Sequence, residues 1–328
     1  MMGRSLFFTA PHRVEVREET VRPPLAGEVW VECIASAISP GTEMLVYRGQ
    51  APTELAVDET ISALPGSFGF PLKYGYAAVG RVSQLGSNVD ASWLNRLVFA
   101  FNPHESHFVA NVANLLPVPA EVDPDTALFL PNMETAVNFL HDGAPLVGEH
   151  VAVFGQGIVG LLTTALLARI PLNSLTTFDH YSLRRETSRR LGAHASLDPS
   201  KPVDLQTDLT YELSGSPAAL DQAIAATGFD GRVIIGSWYG QKRADLNLGG
   251  RFHRSRIRLI SSQVSTLAPE LSGRWTKARR LEVAWQMLRE VKPAHLITHR
   301  FPFDEAAKAY ELIDQHPDTC IQVILSYQ

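Results

Sequence analysis

Gly155-Gln156-Gly157-Ile158-Val159-Gly160 lies between the apolar runs Val151-Ala152-Val153-Phe154 and Leu161-Leu162-Thr163-Thr164-Ala165-Leu166-Leu167-Ala168. The first run reads as a short buried strand, the second as an apolar helix starting directly after the last glycine. A second apolar strand, Ser174 to Phe178, ends at Asp179, nineteen residues beyond Gly160. Strand, glycine turn, helix and acid in this order are the parts a dinucleotide needs. Gly155 makes the tight turn, Gly157 lets backbone approach a pyrophosphate, and Gly160 packs helix on strand. Ile158 and Val159 open the helix, whose free N–H groups and positive dipole end favour phosphate. Asp179 then accepts from the adenosine ribose hydroxyls. An acid there repels a 2′-phosphate, so NAD is expected, with NADP as the alternative. Arg184 and Arg185 bear on that choice, since such arginines either reach an extra phosphate or face solvent.

The bulk of the chain fits this reading. Its 328 residues predict two domains sharing an interface. Charged residues at 19% and apolar residues at 45% describe an ordinary globular protein. A net charge of −5 gives no reason to expect nucleic acid or an anionic membrane as partner, so a small-molecule substrate is expected. Cys33 and Cys320 each sit in an apolar run and read as buried free thiols, which suits a cytoplasmic protein. Leu6-Phe7-Phe8 is too short a core for a signal peptide. The uncharged stretch Val151 to Ala168 fits strand, turn and helix better than a membrane span.

The first 120 residues read as β-rich, with alternation in Arg13–Arg17 and Glu28–Ile34 and further short strands at Ala77–Val82 and Leu97–Phe101. A helix is expected from Asp125 to about His141, started by Asp123 or Asp125 near Pro124. From Gly148 strands at 151–154, 175–178, 209–213, 232–236 and 257–261 alternate with helices at about 158–169, 182–191, 217–227 and 276–290. That alternation predicts an α/β doubly wound parallel sheet. A helix (Phe303 to Gln315) and a strand (Cys320 to Leu325) close the chain.

Four stretches extend the pattern: Gly27-Glu28-Val29-Trp30-Val31, Ala37-Ile38-Ser39-Pro40-Gly41-Thr42-Glu43, Lys73-Tyr74-Gly75-Tyr76-Ala77-Ala78-Val79-Gly80, and Tyr211-Glu212-Leu213-Ser214-Gly215-Ser216 followed by Gly231–Gly236. With the glycine turn they make the whole chain resemble the medium-chain dehydrogenase/reductase superfamily. Within it, Ser39–Glu43, Tyr47-Arg48-Gly49 and Phe70-Pro71-Leu72 with Gly75-Tyr76 look closest to bacteriochlorophyllide dehydrogenases, which oxidise a hydroxyethyl substituent on a chlorin ring. The resemblance implies a GroES-like β-rich catalytic domain (1–123), a Rossmann NAD(P)-binding domain (124–292), a C-terminal segment (293–328) returning to the catalytic domain, and a homodimer. It also implies that Ser214 and Thr135 lie beside the cofactor, although Thr135 equally reads as a helix hydroxyl bonding backbone.

Many members of the superfamily hold a catalytic zinc through Cys, His and a third Cys or acid. Here those positions carry Pro40, Tyr76 and Leu130 or Pro131, none a zinc donor. Two cysteines cannot form the four-cysteine lobe of a structural zinc, so no zinc is expected. His104-Glu105-Ser106-His107 is the rival metal cluster, and a solvated loop or substrate contact fits it better. Hydride transfer without a metal needs hydrogen-bond donors where charge builds on oxygen. Tyr76 is the candidate donor and acid, against a plain packed aromatic. Thr42 is the candidate relay, against a turn-stabilising threonine, and Glu43 is read as orienting it. Lys73 either lowers the phenol's pKa or is a solvated charge. Arg251, Arg254, Arg256 and Arg258 read as a protected strand edge or an anion site, and Trp238-Tyr239 as pocket lining or core cap.

The leading expectation is a zinc-independent NAD(H) oxidoreductase interconverting a secondary alcohol and a ketone. An NADPH-dependent quinone or enone reductase is the alternative, and a non-catalytic nucleotide-binding protein the third reading.

Overall fold

In the computed structural model, residues 2–58, 60–201 and 204–327 are described. The chain divides into two compact units, Met1–Pro131 with Lys292–Gln328, and Asn132–Val291.

The second unit is a six-stranded sheet. Its strands, numbered within the unit, are β1 (His150–Phe154), β2 (Ser174–Phe178), β3 (Ala195–Leu197), β4 (Thr207–Glu212), β5 (Thr227–Ile235) and β6 (Arg258–Ser261). They lie in the order 3-2-1-4-5-6 with every ladder parallel. A continuous apolar run suits such a strand, because both faces must be covered. Along β1, Val151 and Val153 enter one core with Leu175, Leu209 and Ile234, while Ala152 and Phe154 enter another with Phe178, Leu220 and Val233. Strand order reverses between β1 and β4, which opens a crevice at their carboxyl ends, where open α/β sheets bind ligands. The fold is the expected α/β doubly wound sheet. The short β3 falls outside the sequence expectation, because three residues carry too little periodicity to register.

The helix expected from Asp125 to His141 is two helices, Pro124–Ala127 and Leu130–Gly143. Pro131 is the cause. Inside one continuous helix its ring would meet the carbonyl four residues back, whereas in a first turn it is tolerated. Asp123 caps the first helix, accepting from Thr126 N–H at 2.9 Å and from its hydroxyl at 2.7 Å.

The first unit pairs Met2–Ala10 with Arg13–Thr20 and carries a seven-stranded sheet around the long strand Glu28–Ile38. That strand pairs antiparallel with Ala78–Leu85, His107–Asn111 and the C-terminal strand Gln322–Ser326. Most of its residues from Val29 to Ile38 are buried, so the alternation read in its first half gives way to a strand covered on both faces. Cys33 and Cys320 are free and buried, and burial pushes the Cys33 thiol up. No helix among the described residues is long and apolar enough to cross a membrane. Of the four arginines between 251 and 258, only Arg258 lies in a strand; Arg251 donates to the Ala225 carbonyl, and Arg254 and Arg256 are exposed.

A buried ion pair organises one side of the second unit. Arg280 and Glu134 meet at 2.9 Å, and the same guanidinium donates to Asn138 Oδ1 at 2.5 Å and to the Thr266 carbonyl at 3.0 Å. Beside them the His141 ring packs on Trp275 at 4.2 Å, and Arg279 covers the same indole at 4.1 Å. Burial, then Arg280 and Arg279, holds His141 down at about 4. Below its ordinary value of about 6.5 the unfolded chain binds a proton that the native imidazole refuses. Stability from this group is complete above about pH 6.5 and is lost as pH falls towards about 4. Urea unfolding across that window should show the loss, and His141→Phe should flatten the slope; equal slopes in both proteins would contradict the assignment.

Candidate active site

The nucleotide half of the site grows from the glycine turn. A side chain at Gly160 would stand 2.0 Å from the Gly155 carbonyl oxygen, and one at Gly155 would stand 2.6 Å from the Ser214 backbone. Helix, turn and the loop after β4 are therefore packed backbone to backbone. Gly157 differs: a Cβ there would meet nothing within 4 Å, and its φ of −66° suits any residue. Nothing inside the fold demands glycine at this position, so its bareness serves whatever approaches from outside. Gly157 also caps the helix Ile158–Leu167 without a side-chain hydrogen bond, leaving first-turn N–H groups for an anion. Ile158 is buried and Val159 half-buried, which seats the helix. Gln156 is a residue the motif does not single out. It is fully buried, donates to the Gly155 carbonyl at 3.0 Å and accepts from Thr164 at 3.0 Å, locking the turn.

Asp179 ends β2, and its oxygens accept the backbone N–H of Gln156 at 2.8 Å and of Tyr181 at 2.9 Å. Arg184 lies over the Tyr181 ring at 4.9 Å with its guanidinium 3.8 Å from the Asp179 carboxylate. Arg185 instead donates to the carbonyls of Asp179 and His180. The two arginines thus separate, with only Arg184 beside the acid. Ser214 is exposed on the loop after β4 and donates to Glu212, a fully buried carboxyl that also accepts from Tyr239. Tyr239 is therefore tied into the unit beneath that loop. Thr135 sits half-buried early in the helix Leu130–Gly143.

In the first unit three segments meet: the turn Ser39–Gly41 leading into the helix Thr42–Tyr47, the segment Lys73–Tyr76, and the loop 102–106. Tyr76 donates to Ser39 Oγ at 2.6 Å, and the same Ser39 oxygen accepts the Thr42 backbone N–H at 3.4 Å, which places Thr42 beside the phenol. Burial pushes the Tyr76 pKa up, with Ser39 and Thr42 only partly offsetting it. Glu43 does not orient Thr42, as its position suggested. It is fully buried, takes the Ser39 N–H at 2.8 Å on one oxygen, and on the other meets the Tyr310 hydroxyl at 2.5 Å and His104 Nε2 at 2.9 Å. The helix turns this side chain inward because the next four residues, Met44 to Tyr47, are themselves core.

Two further readings are corrected here. His104 is not in a solvated loop; it is completely buried, with Nδ1 2.6 Å from Ser36 Oγ, itself 2.8 Å from the Tyr327 hydroxyl. His107 bonds Ser106 instead, so the two histidines serve different partners. Lys73 does not tune Tyr76, because its ammonium is held by Glu105 at 2.7 Å and Glu19 at 2.9 Å. Burial pushes the Tyr310 and Tyr327 phenols well up, and Glu43 adds to this at Tyr310. Ser36, Tyr310 and Tyr327 were not foreseen, and Ser39 and His104 were named without these partners, which lie far along the chain.

A catalytic zinc does not fit these residues. At the three positions the resemblance points to, Pro40, Tyr76 and Leu130 or Pro131 offer no zinc donor, and among the described residues no three His, Cys, Asp or Glu groups stand together for a metal.

No protein-family model matches the chain. It is 23% identical over 352 residues to D-guloside 3-dehydrogenase of Escherichia coli K12, covering 99% of this chain and 100% of that protein. It is 24% identical over 358 residues to 2-desacetyl-2-hydroxyethyl bacteriochlorophyllide A dehydrogenase of Cereibacter sphaeroides, covering 100% and 99%. The solved short chain alcohol dehydrogenase rspB of E. coli CFT073, complexed with NADH, superposes with a TM-score of 0.80 at 18% identity over 99% of both chains. Over its whole length the chain is similar to dehydrogenases of the medium-chain dehydrogenase/reductase type. It is an oxidoreductase of the alcohol-dehydrogenase type, with the GroES-like and Rossmann architecture of these enzymes.

For this dehydrogenase, Gly157→Ala should raise the NADH dissociation constant by about tenfold or more. It should cost at most about 1 kcal/mol of stability, because only a cap preference is lost. Fluorescence titration beside urea unfolding checks both, and unchanged NADH affinity would contradict the role given to this glycine.

Proposed function

We propose that this enzyme interconverts a secondary alcohol and a ketone with NAD(H) and without zinc, Tyr76 being its proton donor and acceptor. The carrying observation is the hydroxyl cluster of Tyr76, Ser39 and Thr42, with the 2.6 Å Tyr76–Ser39 bond at its centre. The resemblance to the medium-chain superfamily implies that metal ligands would stand in this region, where Pro40 and Tyr76 are not zinc donors. On this reading residues 1–123 and 293–328 form the catalytic domain and residues 124–292 hold the nucleotide.

Bound NAD(H) supplies or accepts the hydride. The chain's part is placement and proton handling. Backbone N–H groups at Gly157, Ile158, Val159 and Gly160 take the pyrophosphate, while Gly155, whose own N–H is held by the Phe178 carbonyl at 2.8 Å, makes the turn that aims them; Asp179 takes the ribose hydroxyls, and Ser214 and Thr135 are further cofactor contacts. Charge building on the substrate oxygen during ketone reduction is met by the hydroxyls of Tyr76 and Thr42. The raised Tyr76 pKa keeps the phenol in its hydrogen-bond-donating form but makes it a weaker acid than a free tyrosine, so its proton leaves only as charge builds on the substrate oxygen. Arg184, 3.8 Å from Asp179, is the observation that favours NADP instead, and kcat/KM ratios with the two reduced cofactors decide between them. A large ring carrying a hydroxyethyl group is the substrate class that the Cereibacter relative suggests. A homodimer is expected through the free edge of β6, to be checked by sedimentation.

Tyr76→Phe should lower kcat for ketone reduction by about 10²-fold or more while leaving NADH affinity unchanged. A variant with wild-type kcat would remove Tyr76 from the mechanism. Dialysis against a chelator should leave activity intact. Stoichiometric zinc whose removal abolishes turnover would defeat the metal-free reading, and a screen of ketones against enones and quinones separates it from a double-bond reductase.

A further inference from the structure

His104 touches both arms of the hydroxyl cluster. Through Nε2 it meets Glu43 at 2.9 Å, and Glu43 holds the Ser39 N–H at 2.8 Å. Close to that same Nε2 edge the ring packs against Gly75, the residue before Tyr76. A side chain at Gly75 would come within 2.7 Å of the imidazole, and Gly75 has a φ of +121°. The His104 backbone N–H also reaches the Tyr74 carbonyl at 3.4 Å. One buried ring therefore spaces the segment carrying Ser39 from the segment carrying Tyr76, which meet at 2.6 Å in front of it. Its far edge is anchored as well, by Ser36 at 2.6 Å, and Glu43 is steadied by Tyr310.

Such a cluster is costly to bury. Apolar side chains of the same volume give equal or better stability in comparable cores, so stability alone gives no reason for this choice of residues. Geometry does give one, because hydroxyls rotate freely and a misplacement of about 1 Å at a reacting group costs roughly 10²-fold in rate.

We infer that His104 is a positioning residue, acting through Glu43 on Ser39 and through Gly75 on Tyr76 to hold the Tyr76–Ser39 hydrogen bond. The inference rests on the assignment of Tyr76 as proton donor for its meaning in catalysis, but its geometry stands on its own.

The test uses the full chain labelled with ¹³Cζ-tyrosine, the Tyr76 resonance being identified by its loss in Tyr76→Phe. His104→Leu removes both hydrogen bonds of the ring, to Glu43 and to Ser36, whereas His104→Gln keeps an amide N–H that reaches Glu43. The Tyr76 resonance should move in the leucine variant and return in the glutamine variant. With any ketone turned over in the screen, kcat should fall about 10²-fold in His104→Leu, with KM within about twofold, and recover in His104→Gln to within about fivefold. Should the leucine variant fail to fold, His104→Asn takes its place, since its shorter amide serves Ser36 and falls short of Glu43. An unmoved Tyr76 resonance, or a glutamine variant as impaired as the leucine one, overturns the inference. If instead Tyr76→Phe keeps full kcat, the proton-donor reading fails, and the resonance still decides whether His104 holds Tyr76.

Discussion

Glu43 has no exposed surface, and a carboxyl group cannot be left in such a place without partners. Three groups meet it: the Ser39 N–H, the Tyr310 hydroxyl and His104 Nε2. This demand fixes much of the first unit. The turn before the helix Thr42–Tyr47 must present its N–H inward. The C-terminal helix Ala306–Gln315 must bring Tyr310 to the same spot, and the loop 102–106 must fold its histidine under the sheet. Tyr310 is also stacked on Tyr47 at 5.5 Å and packed edge-on to Phe8 at 5.3 Å, so its hydroxyl has little room to leave the carboxyl. A single buried acid thus couples three stretches of chain that share no sequence neighbourhood.

The second unit is organised differently, by backbone contact in place of side-chain hydrogen bonds. Gly155 and Gly160 are packed against each other and against the Ser214 backbone, while Gln156 and Asp179 close the turn from either side. Of the three glycines in the turn, only Gly157 has open space before it, which leaves room for something outside the protein to approach the helix N-terminus. The two units therefore fail differently under substitution. A side chain added at Gly160 meets rigid backbone, whereas a change at Glu43 leaves three donors without their acceptor.

This difference explains what was legible beforehand. The glycine turn, its flanking strand and helix, and Asp179 lie within 29 residues, from Val151 to Asp179, so local pattern alone exposes them. The hydroxyl pair was half legible: Tyr76 and Thr42 stand in recognisable segments, and the structure brings them together. Glu43 stood in the same segment, yet its role was misread, because what it bonds is decided elsewhere. His104 lies 61 residues from Glu43 and 68 from Ser36, and Tyr310 lies 267 from Glu43. No periodicity spans such separations. The helix break before Pro131 belongs to a third class, since the proline rule alone was enough to foresee it.

A bound metal ion is a compact acid whose position is fixed by its ligands, so an enzyme that uses one obtains charge stabilisation and geometry together. Hydroxyl groups provide the first without the second. A phenol and two aliphatic hydroxyls each turn about a C–O bond, and a donor aimed away from the developing charge contributes nothing. On the proposed reading, replacing the metal ligands with Pro40 and Tyr76 therefore created a second requirement, for orientation, that no change at those positions can satisfy. The buried chain from Tyr327 through Ser36, His104 and Glu43 to Ser39 has the character such a requirement calls for: it is enclosed, fully hydrogen-bonded and anchored at both ends. On that reading the members behind Ser39 carry no substrate chemistry of their own, so this polar core is better understood as the support of the hydroxyls than as part of the protein's stability.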